Sequence, residues 1–153
     1  MHDETSKELR TTLTSAGKLE LSIVAVPMPK PGEGEVLVKV EASPINPSDL
    51  GLLLGPADVS SLSIAGSGDN TVASMDVPDA MMPAMQARLD AALPVGNEGA
   101  GVVIAAGAGA EHMVGKTIGV AGGAMYSQYR CVPAASCIVM NEGTTSAQGA
   151  SCS

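Results

Sequence analysis

The stretch EVLVKVEAS (35–43) alternates with a period of two. Val36, Val38, Val40 and Ala42 face one way, and Lys39 and Glu41 face the other. Successive side chains of a strand leave opposite faces, so this period marks a half-buried β-strand. The flanks exclude a helix. VPMPKPGEGE (26–35) places three prolines and two glycines before the strand, and Pro44 follows it directly. Leu19, Leu21, Ile23 and Ala25 alternate in the same way against Lys18, Glu20 and Ser22. From Gly99 onward GVVIAAG, KTIGVAGG, MYSQYRCVP and SCIVMNE form four short apolar segments separated by Gly- or Pro-containing corners. Strands this short and this regularly spaced predict a mainly β fold, a barrel or a sandwich.

Helix has little room in this pattern. In PINPSDLGLLLG (44–55), Asn46 or Ser48 is positioned to cap a short helical turn running from Asp49 to Leu54 and stopped by Gly55. Residues 56–78 have no period and read as a surface loop, with one short strand near Thr71–Met75. DAMMPAMQARLDAAL (79–93) places Met81 or Met82, Met85, Leu89 and Leu93 near helical spacing, with Asp79 as a cap, and predicts an amphipathic helix. Residues 1–10 read as a solvated leader. The tail GTTSAQGASCS (143–153) brings no closing apolar element.

Composition narrows the function. The chain has 153 residues, enough for one domain with a single sizeable core. It contains no Phe or Trp and two tyrosines, Tyr126 and Tyr129, so the core is built from Val, Leu, Ile, Ala and nine Met. Aromatic platforms for stacking bases or sugars are therefore absent from its means. A net charge of −8 and no Lys/Arg cluster argue against nucleic acid as a partner. No apolar run approaches the roughly 18 residues of a membrane span, and the polar start MHDETSKELR is not a signal peptide. Cys131, Cys137 and Cys152 are an odd number with no close pair, which suits reduced, cytoplasmic thiols.

Taken in order, GEGEVLVKVEASPINPSDL, LPVGNEGAGVVIAAG, GKTIGVAGGAMYSQYRCVP and EGTTSAQGAS resemble successive landmarks of the medium-chain dehydrogenases/reductases. The quinone oxidoreductase (zeta-crystallin-like) branch is the nearest in pattern. The likeness runs from about Leu19 to the C-terminus and leaves 56–93 as an insertion. It implies a GroES-like, partly open β-barrel with one or two short helices. Residues 1–18 would be the leader and the entry to the first strand, and 19–153 the catalytic domain. Such enzymes continue into a Rossmann domain that binds NADPH or NADH, and this sequence does not contain it. AAGAGAEHMVG (105–115) is no substitute. No helix pattern, second β-α unit or ribose-binding acid follows it, so Gly107 and Gly109 read as a tight turn.

The resemblance also assigns residues. Asn46 stands where zinc-dependent relatives have the first zinc cysteine, and Asn97 where they have the zinc histidine. A neutral amide is a poor Zn²⁺ ligand, and the four-cysteine structural-zinc lobe is missing too, so no zinc is expected. His2 and His112 lie in no motif. Asn46 would face the nicotinamide and its ribose, or else serve as a turn residue before Pro47. Ser48 and Asp49 would line the same cofactor cleft or cap the helix. Asn97 and Glu98 would border the substrate pocket, with Glu98 also suited to anchoring the corner. Tyr126 would donate a proton to reduced substrate, or be an ordinary barrel tyrosine. Cys131 has no histidine near it in sequence and is no nucleophile. The implied activity is reduction of a small quinone or activated enone by NAD(P)H, with the chain inactive by itself and the full-length form a homodimer. A non-enzymatic GroES-like binding or scaffold module is the alternative.

Overall fold

The computed structural model describes residues 5–151, so His2 and Cys152 lie outside the described residues. Among the described residues ten strands follow one another: β1 (Thr5–Leu13), β2 (Lys18–Pro27), β3 (Glu35–Ala42), β4 (Asp58–Ala65), β5 (Val72–Asp76), β6 (Ala92–Pro94), β7 (Glu98–Ala106), β8 (Thr117–Ala121), β9 (Tyr129–Pro133) and β10 (Cys137–Val139). Two helices of a single turn, α1 (Leu50–Leu53) and α2 (Ser146–Gly149), are joined by several 3₁₀ turns. The fold is mainly β, as the alternating segments predict.

The chain divides into two compact units. One contains the chain up to Glu8, Ala25–Ile45 and everything from Gly96 onward; the other contains Leu9–Val24 and Asn46–Val95. Two cores thus form where length alone suggests one.

In the first unit the sheet order is β10-β8-β7-β3-β9, antiparallel throughout. Val36 and Val38 of β3 are fully buried, and they pack with Val103, Met113, Ile118, Val120, Met125 and Val132. The turn after β7 is as tight as its glycines suggest. Gly109 has φ +85°, and a side chain at Gly107 would overlap the Gly32 carbonyl. The three-residue 3₁₀ turn that follows (Glu111–Met113) offers no helix N-terminus for a phosphate. Near the C-terminus, Thr145 caps α2, its side chain accepting from the Gln148 N–H.

In the second unit the order is β4-β5-β2-β1-β6. Its core is Leu13, Leu19, Met75 and Val77, with Leu54, Ala57, Met82, Met85 and Leu89 half-buried around it. Three expectations need correction here. The solvated leader is a strand from Thr5 onward: its inward positions include Ser6 and Thr11, both fully buried, so small polar residues hide the strand from a hydropathy reading. The surface loop at 56–78 is a β-hairpin. β4 is almost wholly exposed on both faces and carries no alternation, and Gly66, at φ +78°, turns the chain into β5, the strand expected near Thr71–Met75. The amphipathic helix at 79–93 is a 3₁₀ stretch, Asp79–Arg88, followed by β6. Pro83, inside that stretch, has no N–H to donate, and in an α-helix its ring would clash with the carbonyl four residues back, which disfavours an α-helix there, while Met82, Met85 and Leu89 still reach the core.

A smaller correction concerns β2. Leu19 is buried as expected, but Ile23 and Ala25 are exposed, and Val24 and Val26 are the half-buried residues of that end.

Candidate active site

Gly96, Asn97 and Glu98 form the corner that leads into β7. Gly96 has φ +99°, a conformation L side chains rarely adopt, and the corner turns on it. Its carbonyl accepts the Met125 N–H at 3.1 Å, and the Asn97 carbonyl accepts the Gly122 N–H at 2.7 Å. Glu98 then pairs with Ala121 as the first rung between β7 and β8. Asn97 and Glu98 are both half-buried.

Tyr126 packs against this corner. A Cβ added to Gly96 would lie 2.6 Å from the Tyr126 ring carbon Cδ1 and 2.6 Å from its backbone nitrogen. The Tyr126 hydroxyl donates to the Pro44 carbonyl at 2.9 Å. Nearby, the Ser43 hydroxyl donates to the Met125 carbonyl at 2.9 Å, and the Ser127 hydroxyl to the Ala124 carbonyl at 2.9 Å. Ala124 has φ +68°, in the left-handed region, and reverses the chain before Met125. Sequence reading missed Ser43, Pro44 and Ala124. Two of these act through backbone carbonyls or backbone angle, which residue type does not announce; the serine alone was a visible donor.

Asn46, Ser48 and Asp49 lie together in the other unit. Asn46 precedes the 3₁₀ turn Pro47–Asp49, which runs on into α1. Pro47 suits the first helical position, where no N–H is needed. The Asn46 N–H donates to Asp49 Oδ2 at 2.8 Å, and the Asp49 N–H returns to the Asn46 carbonyl at 2.9 Å. The Asp49 side chain is 2% exposed, so this carboxylate serves the turn's own backbone. Ser48 is exposed and Asn46 half-buried. Gly55, at φ +50°, ends the turn as its position suggests.

Among the described residues no three of His, Cys, Asp and Glu gather closely enough to hold a metal ion. Asn46 and Asn97 each carry a neutral amide, which is a poor Zn²⁺ ligand.

Cys131 and Cys137 are free and half-buried. Burial raises the Cys131 thiol above its ordinary pKa, Glu35 adds to the rise and Arg130 opposes it; burial alone raises Cys137. A raised thiol pKa means less thiolate at any given pH. Both cysteines are therefore expected to alkylate more slowly than free cysteine at neutral pH, with the rates rising only as the solution becomes alkaline. Iodoacetamide labelling across pH, read by peptide mass, checks this.

No family model matches the chain. A zinc-type alcohol dehydrogenase-like protein of Schizosaccharomyces pombe is 59% identical over 34 residues, which are 22% of this chain and 10% of that protein. A mycobacterial protein solved in complex with NADPH superposes with a TM-score of 0.56 at 22% identity, covering 92% of this chain and 34% of that one. A quinone oxidoreductase from Coxiella burnetii gives a TM-score of 0.60 at 17% identity, covering 96% of this chain and 40% of that one. The chain thus spans two fifths or less of the length of these proteins. Two antiparallel sheets with few short helices, shared over more than nine tenths of the chain with these two solved structures, give the fold as a partial GroES-like barrel.

Proposed function

We propose that this chain is the catalytic-domain portion of an NAD(P)H-dependent, zinc-independent oxidoreductase acting on a quinone or an activated enone. The observation that carries this reading is the match over more than nine tenths of the chain to a protein solved with NADPH and to a quinone oxidoreductase. The two asparagines at the metal positions add to it. So does the lack, among the described residues, of any three-donor cluster.

A nicotinamide bound by the adjoining domain supplies a hydride, two electrons with one proton, and the acceptor takes a further proton to complete the reduction. Conjugation in a quinone or enone spreads the negative charge that develops on its oxygen, so a Lewis acid is dispensable. What this chain contributes is orientation and hydrogen bonding. In this reading Asn97 directs its amide at the acceptor's oxygen, and Glu98 fixes the corner on which Asn97 stands. Asn46 serves the cofactor's carboxamide and ribose, in a turn held by Asp49 with Ser48 at its exposed side. The surroundings are those of a soluble cytoplasmic enzyme that pairs with a second copy in its full-length form.

The test is NAD(P)H oxidation with a panel of quinones and enones. It uses the polypeptide that includes the nucleotide-binding domain, with and without chelator, alongside elemental analysis for zinc. Turnover that survives chelation, with no stoichiometric zinc, is expected; the 153-residue chain alone is expected to turn over nothing. Activity lost to chelator and restored by zinc defeats the metal-free reading. A folded, full-length protein inert toward every acceptor leaves the non-enzymatic module in its place.

A further inference from the structure

Residue type alone leaves Tyr126 with two roles, proton donor or framework. The geometry points to a third: we propose that Tyr126 is a positioning residue that holds the Asn97 corner in a fixed orientation, and that its phenol is not the proton source for substrate. The inference rests on the proposed reaction for its kinetic consequence, though not for its structural one.

A phenol has one proton to donate. In this fold it goes to the Pro44 carbonyl at 2.9 Å, in a partly buried setting. Turning the hydroxyl toward a substrate would leave that carbonyl without this donor, at a cost comparable to a lost hydrogen bond. The ring is committed as well. It lies where a side chain on Gly96 would be, so it packs directly on the backbone of the corner. From the same loop, Met125 N–H holds the carbonyl of Gly96 and Gly122 N–H holds that of Asn97. The carbonyls of Gly96 and Asn97 are therefore held by one loop, and Tyr126 lies where a side chain on Gly96 would be.

The loop is itself braced. Ser43 donates to the Met125 carbonyl, and Ser127 to that of Ala124. Beyond it, the Gln128 N–H donates to the Lys7 carbonyl at 2.9 Å, and the Lys7 N–H returns to the Gln128 side chain at 3.1 Å. Met125 and Tyr126 thus link the strand end at Ser43–Pro44 to the corner. A backbone fixed in this way sets the direction in which the Asn97 side chain leaves it, which limits where its amide can reach and favours a pre-oriented hydrogen-bond donor.

Tyr126→Phe keeps the ring and removes only the hydrogen bond to Pro44; Tyr126→Ala removes both. Two readouts separate the roles. In the 153-residue chain, amide exchange at Gly122 and Met125 is expected to speed up about three- to tenfold in Tyr126→Phe, the opening expected from one lost hydrogen bond, and further in Tyr126→Ala. In the polypeptide carrying the nucleotide-binding domain, Tyr126→Phe is expected to raise KM for the acceptor while the pH dependence of kcat keeps its shape. Unchanged exchange in Tyr126→Phe overturns the positioning role. Loss of the basic limb of the kcat profile in that variant overturns the exclusion of the phenol as proton source. If the unsubstituted polypeptide oxidises no NAD(P)H, the proposed reaction fails, and the exchange result still decides the positioning role.

Discussion

Gly101→Ala is expected to unfold the first unit, or to destabilise it by more than about 3 kcal/mol. Gly101 sits in β7 opposite Val40 of β3, beside a break in the β3–β7 register between Val40 and Ala42. A Cβ there would overlap the Lys39 carbonyl oxygen outright and lie 2.8 Å from the Lys39 carbonyl carbon and 2.9 Å from the Val40 Cα. These are backbone atoms of a central strand, so no side chain can swing aside to make room. Relief requires β3 and β7 to part, and between them they carry Val36, Val38 and Val103, the middle of that core. A typical domain has only about 5–15 kcal/mol of stability to lose. Gly123→Ala is the control, because a Cβ at Gly123 meets nothing within 4 Å. Urea unfolding of both variants decides the matter. A Gly101→Ala protein as stable as the Gly123→Ala one would mean that the two strands do not approach so closely.

Gly96→Ala carries the next largest expected loss, about 3 kcal/mol, from two independent sources. The first is conformational: φ +99° is strained for any L side chain. The second is steric, with the new Cβ 2.6 Å from both the ring and the backbone nitrogen of Tyr126. The two can be separated by a double-mutant cycle with Tyr126→Ala. Removing the ring is expected to restore only part of the loss, because the clash with the Tyr126 nitrogen and the backbone strain both remain. Full restoration would locate the whole penalty in the ring; none would show that the ring does not lie on the corner. The same cycle bears on the site, since Asn97 is the next residue.

The asparagine corner shows how unevenly a sequence discloses a site. Asn46, Asn97, Glu98 and Tyr126 were visible because the motifs around them are distinctive. The partners that define their roles were not, because they are main-chain groups. The carbonyls of Pro44, Gly96 and Asn97 have no residue-type signature, and the amides of Gly122 and Met125 have none either. Asp49 illustrates the point. As a residue near Asn46 it suits a cofactor cleft or a helix cap; the structure shows it buried, with its carboxylate accepting the Asn46 N–H.

β3 and the apolar segments that became β7 to β10 were legible from hydropathy and their Gly/Pro corners, although Val36, Leu37 and Val38 of β3 and Ile118, Gly119 and Val120 of β8 are buried in succession, where strict alternation would expose the middle residue. Pro44, Gly55 and Gly109 ended or turned their elements where their backbone preferences require. β1 and β4 could be found only in three dimensions. The first buries Ser6 and Thr11 where apolar residues are expected, and the second exposes both faces, so neither has a period to read. At 79–93 helical spacing of methionines pointed one way and Pro83 the other, and the backbone followed the proline. The sequence by itself determined the mainly β class, the aliphatic and methionine core, and the amide side chains of Asn46 and Asn97. These depend on side-chain chemistry and local backbone sterics. Tertiary structure decided the division into two cores, the hairpin within 56–78 and the partner of the Tyr126 hydroxyl, because each depends on which backbone groups meet across long stretches of chain.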